Sequence, residues 1–136
     1  SYQAVGRAKK VSVSDRIGYY YLQRGGSIMG EGYSVKRLDA IEAKEQRCAY
    51  MRKRFPALSA LSIKDLWFTC IYQGQMALRD LDEKTGTQAM AFLRSVLKSN
   101  PVATDGCTWK ERIWLHMARL DLRMTCRLRM WLRIGL

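Results

Sequence analysis

The sequence predicts a mainly α-helical protein with about four helices and a small N-terminal β element. From Ser34 to the C-terminus, apolar residues recur at spacings of three and four, as they do on one face of a helix. The alternation of apolar and polar residues that is typical of a strand is confined to the part of the chain before Ser34. At 136 residues, the chain is long enough to bury a core as one domain.

The N-terminal region contains the strand-like patterns. Residues 2–10 are typical of the end of a helix, and residues 11–13 (Val-Ser-Val) alternate as a short strand does. Three tyrosines within residues 17–23 favour a pleated, half-buried surface, and the glycines of residues 25–26 and 30–32 then interrupt regular structure. Because the chain begins without Met and within a predicted helix, we expect it to be part of a longer protein.

Three helices are predicted in the middle of the chain. Ser34 is a suitable N-cap for the first, and Pro56 ends it. The second begins at Ser62 with Asp65 in a capping-box position, and its apolar content indicates a central place in the fold. The third ends before Pro101. The predicted ranges are residues 34–54, 62–81 and 87–98.

The last predicted helix has the strongest local signals. Thr108 and Glu111 have the spacing of a capping box, which marks the start of a helix. Residues at spacings of three and four then predict one continuous apolar face, which we expect to pack on the core. Its members are Trp109, Ile113, Met117, Leu120, Met124, Leu128 and Trp131. The four tryptophans, Trp67, Trp109, Trp114 and Trp131, are predicted to fill the core, with a lipid interface as the alternative for the last two.

The formal net charge of +12 favours anionic partners. The C-terminal stretch from Lys110 onward holds seven Lys or Arg residues and two acids. A stripe of arginines on the last predicted helix is a candidate contact for a membrane or another anion: Arg112, Arg119, Arg123 and Arg127. An anionic membrane surface and a docked protein domain both remain open as its partner. Nucleic acid is disfavoured, because no helix-turn-helix or RNA-binding signature accompanies the charge.

The sequence predicts no metal site and no catalytic cysteine or histidine. Four cysteines lie far apart without a C-x-x-C pair and the only histidine is His116, so zinc ligands are not clustered. We expect the cysteines to be reduced, mostly buried thiols. Asp80 and Asp82 have the spacing of a metal-binding carboxylate pair, but they end a predicted helix and favour a solvated helix terminus instead.

Residues 8–13, 19–29 and 35–38 resemble the region that follows the catalytic core in bacterial family 2 glycosyltransferases. The most specific run is Tyr-Tyr-Tyr-Leu-Gln-Arg-Gly-Gly-Ser-Ile-Met, from Tyr19 to Met29. The resemblance covers the chain from its N-terminus to about Ala40. It implies that residues 1–33 are the end of a GT-A catalytic domain and that residues 34–136 are a C-terminal helical region, so the chain would be a fragment of a larger α/β enzyme.

The resemblance also implies a place at the donor pocket for the glycine-rich loop. Arg24 and Ser27 would approach the pyrophosphate of the nucleotide sugar, and Tyr20 or Tyr21 would line the pocket wall; the alternative is that Arg24 only holds the loop. The Asp-x-Asp motif and the catalytic Glu-Asp pair of the family would precede this chain, so no catalytic residue and no cofactor is assigned to the fragment. The intact enzyme would use a divalent metal, Mg²⁺ or Mn²⁺.

The implied function is transfer of a sugar from a nucleotide diphosphate donor to a cell-surface glycan or related acceptor, with the fragment inactive alone. The implied partners are the chain's own N-terminal catalytic domain, a nucleotide sugar and an anionic membrane surface. Self-association through uncovered apolar surface is a further expectation. The expected location is the cytoplasm, or the periphery of the inner face of the membrane. The alternative function is a basic helical module that binds nucleic acid or acts as an adaptor.

Overall fold

The computed structural model describes residues 2–16, 18–19 and 32–135. The chain divides into two units, residues 1–31 and residues 32–136. In the first unit, a helix of six residues, α1 (Tyr2–Arg7), is followed by residues 8–16 without regular structure. The mainly α-helical fold class is confirmed for the described residues.

The predicted N-terminal β element is wrong in the part of it that the structure describes. Val11 and Val13 are exposed, and no strand is present in residues 2–16, 18–19 or 32–135. An alternating pattern stabilises a strand only when one face is buried against a partner, and these two side chains are not buried. The predicted tyrosine strand of residues 17–23 lies mostly outside the described residues.

The described residues of the second unit, 32–135, form five α-helices and two short 3-10 turns. The turns are Val35–Leu38, which leads directly into the first of these helices, and Pro56–Leu58, which leads into the second. The helices are α2 (Asp39–Arg54), α3 (Ser59–Asp80), α4 (Glu83–Ser99), α5 (Trp109–Leu120) and α6 (Leu122–Trp131).

The capping box predicted at the start of the last helix is confirmed. The Glu111 amide donates to the Thr108 hydroxyl at 3.3 Å, and the Thr108 amide donates to the Glu111 carboxylate at 2.8 Å. The Asp82 carboxylate caps α4 in the same way, by accepting from the Thr85 amide at 3.0 Å. These side chains satisfy amides that the first turn of a helix leaves without a backbone partner.

The prediction of about four helices is wrong. The described residues form six helices, and the segment predicted as the last helix is divided into two. Asp121 separates α5 from α6 and has extended backbone angles, φ −148° and ψ 105°. Its carboxylate accepts from the Met124 amide at 2.9 Å and thereby caps α6. A side chain that serves as an N-cap favours a new helix start over continuation of the previous one.

The apolar face predicted for this segment is largely exposed. Trp109, Leu120 and Trp131 are 68%, 82% and 78% exposed, so two of the four tryptophans predicted to be buried lie on the surface. Within α5, Trp109 and Leu120 are exposed because this helix buries a different face, and the break at Asp121 changes the phase of the pattern only for α6. The residues that α5 and α6 bury instead are Leu115, Ala118, Leu122, Thr125 and Cys126.

Helix α3 is central to the second unit, as its apolar content predicted. All four other helices of the unit pack against it. Its Leu66, Cys70 and Ile71 are completely buried. Burial of this kind contributes about 1.5–3 kcal/mol for each large apolar side chain. The core therefore surrounds α3, and the other four helices of the unit are positioned by their packing against it.

Helices α4 and α6 come close to α3 at Gly74. A Cβ atom at this position would lie 2.8 Å from the Cys126 sulfur of α6 and 3.3 Å from the Met90 sulfur of α4. The Cys126 thiol is also held in place, because it donates to the Ile71 carbonyl at 3.4 Å. Gly74 thus provides the space in which α4 and α6 contact α3.

We predict that Gly74→Ala lowers the free energy of unfolding by up to about 2 kcal/mol, because overpacking a filled core costs about 1–3 kcal/mol. Glycine to alanine in a helix otherwise stabilises by about 1 kcal/mol, which offsets part of this cost. Urea denaturation of the variant and the parent chain measures the difference.

The control is a double-mutant cycle with Cys126→Ala, which removes the sulfur that the new methyl group meets. In the Cys126→Ala background, Gly74→Ala should cost much less than it does in the parent chain, with a coupling energy on the order of 1 kcal/mol. Additive effects of the two substitutions would show that the close contact is not the cause.

Candidate functional site

The residues assigned to the donor-site loop lie outside the described part of the chain. Tyr20, Tyr21, Arg24 and Ser27 all fall within residues 20–31. Their roles at a nucleotide-sugar pocket therefore stay predictions from the resemblance.

The four arginines of the predicted stripe occupy two different helices. Arg112 and Arg119 belong to α5, whereas Arg123 and Arg127 belong to α6. Arg119, Arg123 and Arg127 line clefts on the surface of the second unit, and Arg112 is exposed two helical turns before Arg119. The structure thus brings three of the four to the clefts that α4 forms with its neighbours.

The largest of these clefts has a volume of about 540 Å³ and lies between the C-terminal ends of α4 and α5, over α3. We call it the α4–α5 cleft. Its apolar floor consists of buried residues, among them Trp67, Leu97 and Ala118. Three cations, two of them on α4, stand around this floor. The complete lining is Trp67, Arg94, Leu97, Lys98, Pro101, Ala118, Arg119 and Leu120.

Hydrogen bonds hold the floor and one of the cations in place. The Trp67 indole N–H donates to the Asn100 carbonyl at 2.6 Å. The buried Asn100 amide in turn donates to the Glu45 carboxylate at 2.8 Å. The Arg119 guanidinium donates to the Val102 carbonyl at 2.8 Å and lies over the Trp67 ring, 5.9 Å from its centroid. This part of the cleft is preorganised.

The charge of the α4–α5 cleft is positive and poorly compensated. None of the residues that line it is acidic. Arg94 is 3.8 Å from the nearest oxygen of Asp121, which is a weak pairing for a guanidinium that is 52% exposed. Lys98 is exposed, and no ion pair or hydrogen bond of its ammonium occurs within the described residues. The cleft therefore offers cationic groups for an anion.

Two smaller clefts continue from this one along α4. The first, of about 360 Å³, shares Arg94 with it, and the second, of about 310 Å³, shares Thr87 and Arg123 with the first. Their cations are opposed by acids that also line them, namely Asp121, Asp82 and Glu83. The uncompensated positive charge is therefore greatest in the α4–α5 cleft.

Asp80 and Asp82, which have the spacing of a metal-binding carboxylate pair, already have hydrogen-bond partners at helix ends. Their carboxylates are therefore not free to bind a divalent ion. Asp80 pairs with Arg79 through two hydrogen bonds of 2.6 and 2.8 Å, which lower the pKa of the Asp80 carboxyl. Asp82 caps α4, and its hydrogen bonds with Thr85 likewise lower its pKa. No group of three or more potential metal ligands occurs in the described ranges.

The cysteines and the histidine do not form a reactive cluster. All four cysteines are free, and Cys48, Cys70 and Cys126 are buried. Burial raises the pKa of Cys70 and Cys126 to about 12, so both thiols stay protonated at neutral pH and are poor nucleophiles. His116 lies exposed on α5.

Exposed apolar side chains lie on both α5 and α6. We call them the α5–α6 outer surface, which consists of Trp109, Ile113, Leu120, Met124 and Trp131, each at least 45% exposed. Cations accompany it, since the Lys110 ammonium lies 5.5 Å from the centroid of the Trp109 ring and Arg112 and Arg127 are exposed. Large aromatic residues beside cations are typical of surfaces that contact lipid head groups or other proteins.

Sequence reasoning missed the α4–α5 cleft, although one signal for it was present. Arg94 and Lys98 are four residues apart and so share one side of α4. Nothing in the sequence indicates that this side of α4 lines the same cleft as Arg119 of α5, because that arrangement depends on tertiary packing.

No family model matches the chain, and no curated protein or solved structure is significantly similar to it. None of the helices in the described ranges is both long enough and apolar enough to cross a bilayer. The link to family 2 glycosyltransferases therefore depends on the resemblance of the N-terminal part of the chain, to about Ala40.

Proposed function

We propose that the chain is the C-terminal region of a family 2 glycosyltransferase. In the intact enzyme, the preceding GT-A domain transfers a sugar from a nucleotide diphosphate donor to a cell-surface glycan or related acceptor. The observation that carries the proposal is the run from Tyr19 to Met29, with the flanking residues 8–13 and 35–38. The helical character of residues 35–54 and beyond is consistent with a C-terminal helical region.

In this proposal the chain supplies binding groups and no catalytic ones. Arg24 and Ser27 approach the donor pyrophosphate, where a guanidinium and a hydroxyl can donate hydrogen bonds to phosphate oxygens. The carboxylates that bind the metal and act as the base belong to the preceding domain. The fragment is consequently inactive alone.

The helical region contributes contact with an anionic membrane at the cytoplasmic side. The α5–α6 outer surface supports this role, because tryptophan rings favour the interface between lipid and water. Each basic residue near an anionic bilayer contributes about 1 kcal/mol of attraction. Such contact would keep the enzyme close to an acceptor that is attached to lipid.

A second candidate function is a basic module that binds nucleic acid. The cations along α4, α5 and α6 favour it, since Lys and Arg rows neutralise phosphates. The acids in the two smaller clefts weigh against a continuous track for a phosphate backbone.

The reading frame upstream of Ser1 in the native gene tests the transferase proposal. We predict that it encodes an α/β domain with an Asp-x-Asp motif and a Glu-Asp pair. The enzyme expressed from the complete frame should transfer or hydrolyse a nucleotide sugar in the presence of Mg²⁺ or Mn²⁺.

In this complete enzyme, Arg24→Ala should lower kcat/KM by at least about tenfold, as expected for loss of one charged hydrogen bond to phosphate.

Lys53→Ala, on the exposed end of α2, is the matched control and should leave kcat/KM unchanged. The purified chain without the preceding domain should show no turnover with either metal. Turnover by this chain alone, or a native gene without an α/β domain in this frame, would contradict the proposal.

The membrane role predicts that the chain sediments with vesicles of phosphatidylglycerol and phosphatidylcholine, and much less with phosphatidylcholine alone. The double variant Trp109→Ala, Trp131→Ala should weaken partition on the order of tenfold, because each ring loses apolar burial in the interface. Added salt should weaken binding by screening the cations. Cosedimentation over a range of lipid concentrations measures both effects.

Leu61→Ala is the control for an exposed apolar residue elsewhere, since Leu61 lies on α3 and is 57% exposed. It should partition like the parent chain. Equal binding to neutral and anionic vesicles would contradict the membrane role. Tighter, salt-dependent binding to single-stranded or duplex DNA than to vesicles would contradict it too and would favour the second candidate.

A further inference from the structure

We propose that the α4–α5 cleft binds an anionic amphiphile, a phosphate monoester joined to an apolar chain. The inference concerns this cleft alone and does not depend on the transferase assignment. It follows from three properties of the cleft: its poorly compensated cations, its apolar floor and its preorganised geometry.

The cations determine the charge of the ligand. Arg94, Lys98 and Arg119 line the cleft without an acidic residue among its lining. The Val102 carbonyl accepts from one nitrogen of the Arg119 guanidinium, which leaves most of its five N–H donors available. Two guanidinium groups and an ammonium at one site suit the multiple oxygens of a phosphate group.

The apolar residues determine the rest of the ligand. Trp67, Leu97 and Ala118 are each at most 5% exposed and form the floor, whereas Leu120 at the edge is 82% exposed. A small inorganic anion would leave this edge uncovered. An apolar chain attached to the phosphate would cover it and gain about 25 cal/mol for each Å² removed from water. A volume of about 540 Å³ is within the usual range for small-molecule sites.

The preorganised floor favours binding of such a ligand. Trp67 is fixed by the Asn100 carbonyl and Arg119 by the Val102 carbonyl, so neither must be ordered when a ligand enters. Sites that need little ordering on binding lose less affinity to conformational entropy.

The distribution of charge favours one small ligand over a polymer. The neighbouring clefts along α4 contain acids beside their cations, among them Asp121 and Asp82. A nucleic-acid backbone would place further phosphates near these acids, whereas a single phosphate in the α4–α5 cleft meets no acid among the residues that line it and lies near Asp121 only through Arg94. The occupant is therefore a molecule with one anionic group.

Isothermal titration calorimetry of the full chain tests the proposal. The probes are dodecyl phosphate below its critical micelle concentration, inorganic phosphate, and dodecyltrimethylammonium as a cation with the same chain. We expect one dodecyl phosphate to bind per protein. Inorganic phosphate should bind at least about tenfold more weakly, and the cationic amphiphile should not bind.

Substitutions separate the two halves of the site. Lys98→Gln and Arg94→Gln should each weaken dodecyl phosphate binding by about three- to tenfold, because both side chains are partly exposed to solvent. Leu120→Ala should weaken binding of dodecyl phosphate and leave that of inorganic phosphate unchanged. Lys53→Gln, on α2, is the matched control and should bind like the parent chain. Thermal unfolding verifies that each variant is folded.

Vesicles that contain phosphatidic acid distinguish the two sources of such a ligand. Displacement of dodecyl phosphate by these vesicles, lost in Lys98→Gln, assigns the cleft to a membrane lipid. Failure to displace it, with the variant effects retained, assigns the cleft to a free alkyl phosphate. Absence of dodecyl phosphate binding would overturn the proposal, as would equal affinity for dodecyltrimethylammonium or binding that Lys98→Gln and Arg94→Gln leave unchanged.

Discussion

The close approach of α6 to α3 at Gly74 is the constraint on which the second unit depends. Because Gly74 has no side chain, the Cys126 sulfur can lie 2.8 Å from the position that a Cβ atom would take. The next residue, Gln75, then binds the end of α6, because its side-chain oxygen accepts from Arg129 at 3.0 Å and its amide donates to the Ile134 carbonyl at 2.8 Å. The position of α6 relative to the central helix is thus fixed at both its middle and its end.

The functional surface follows from that arrangement. Since α6 lies close to α3 and Asp121 turns the chain between α5 and α6, α5 places Ala118 and Arg119 beside Trp67 of α3. The same turn leaves the outer sides of α5 and α6 uncovered. The α5–α6 outer surface and the cationic α4–α5 cleft therefore arise from the same helix packing. Both are suited to amphiphilic anionic partners.

Local signals in the sequence predicted much of the helical structure but little of the tertiary arrangement. The capping box at Thr108 and the end of α2 before Pro56 were found, because caps and prolines act within a few residues. The break at Asp121 was missed, because an aspartate within an apolar repeat is compatible with both a continuous helix and an N-cap. The α4–α5 cleft was missed because Lys98 and Arg119 come to line one cleft only through tertiary packing. The donor loop at Arg24 falls outside the described residues.

A preformed site for an anionic amphiphile over Trp67 has a direct spectroscopic signature. Two-dimensional ¹H–¹⁵N NMR follows the tryptophan indole N–H signals during a titration with dodecyl phosphate. We expect a saturable shift of the Trp67 signal, because this ring forms the floor of the α4–α5 cleft and its N–H is bound to Asn100. Shifts confined to the exposed Trp109 and Trp131, with Trp67 unchanged, would contradict a site in this cleft.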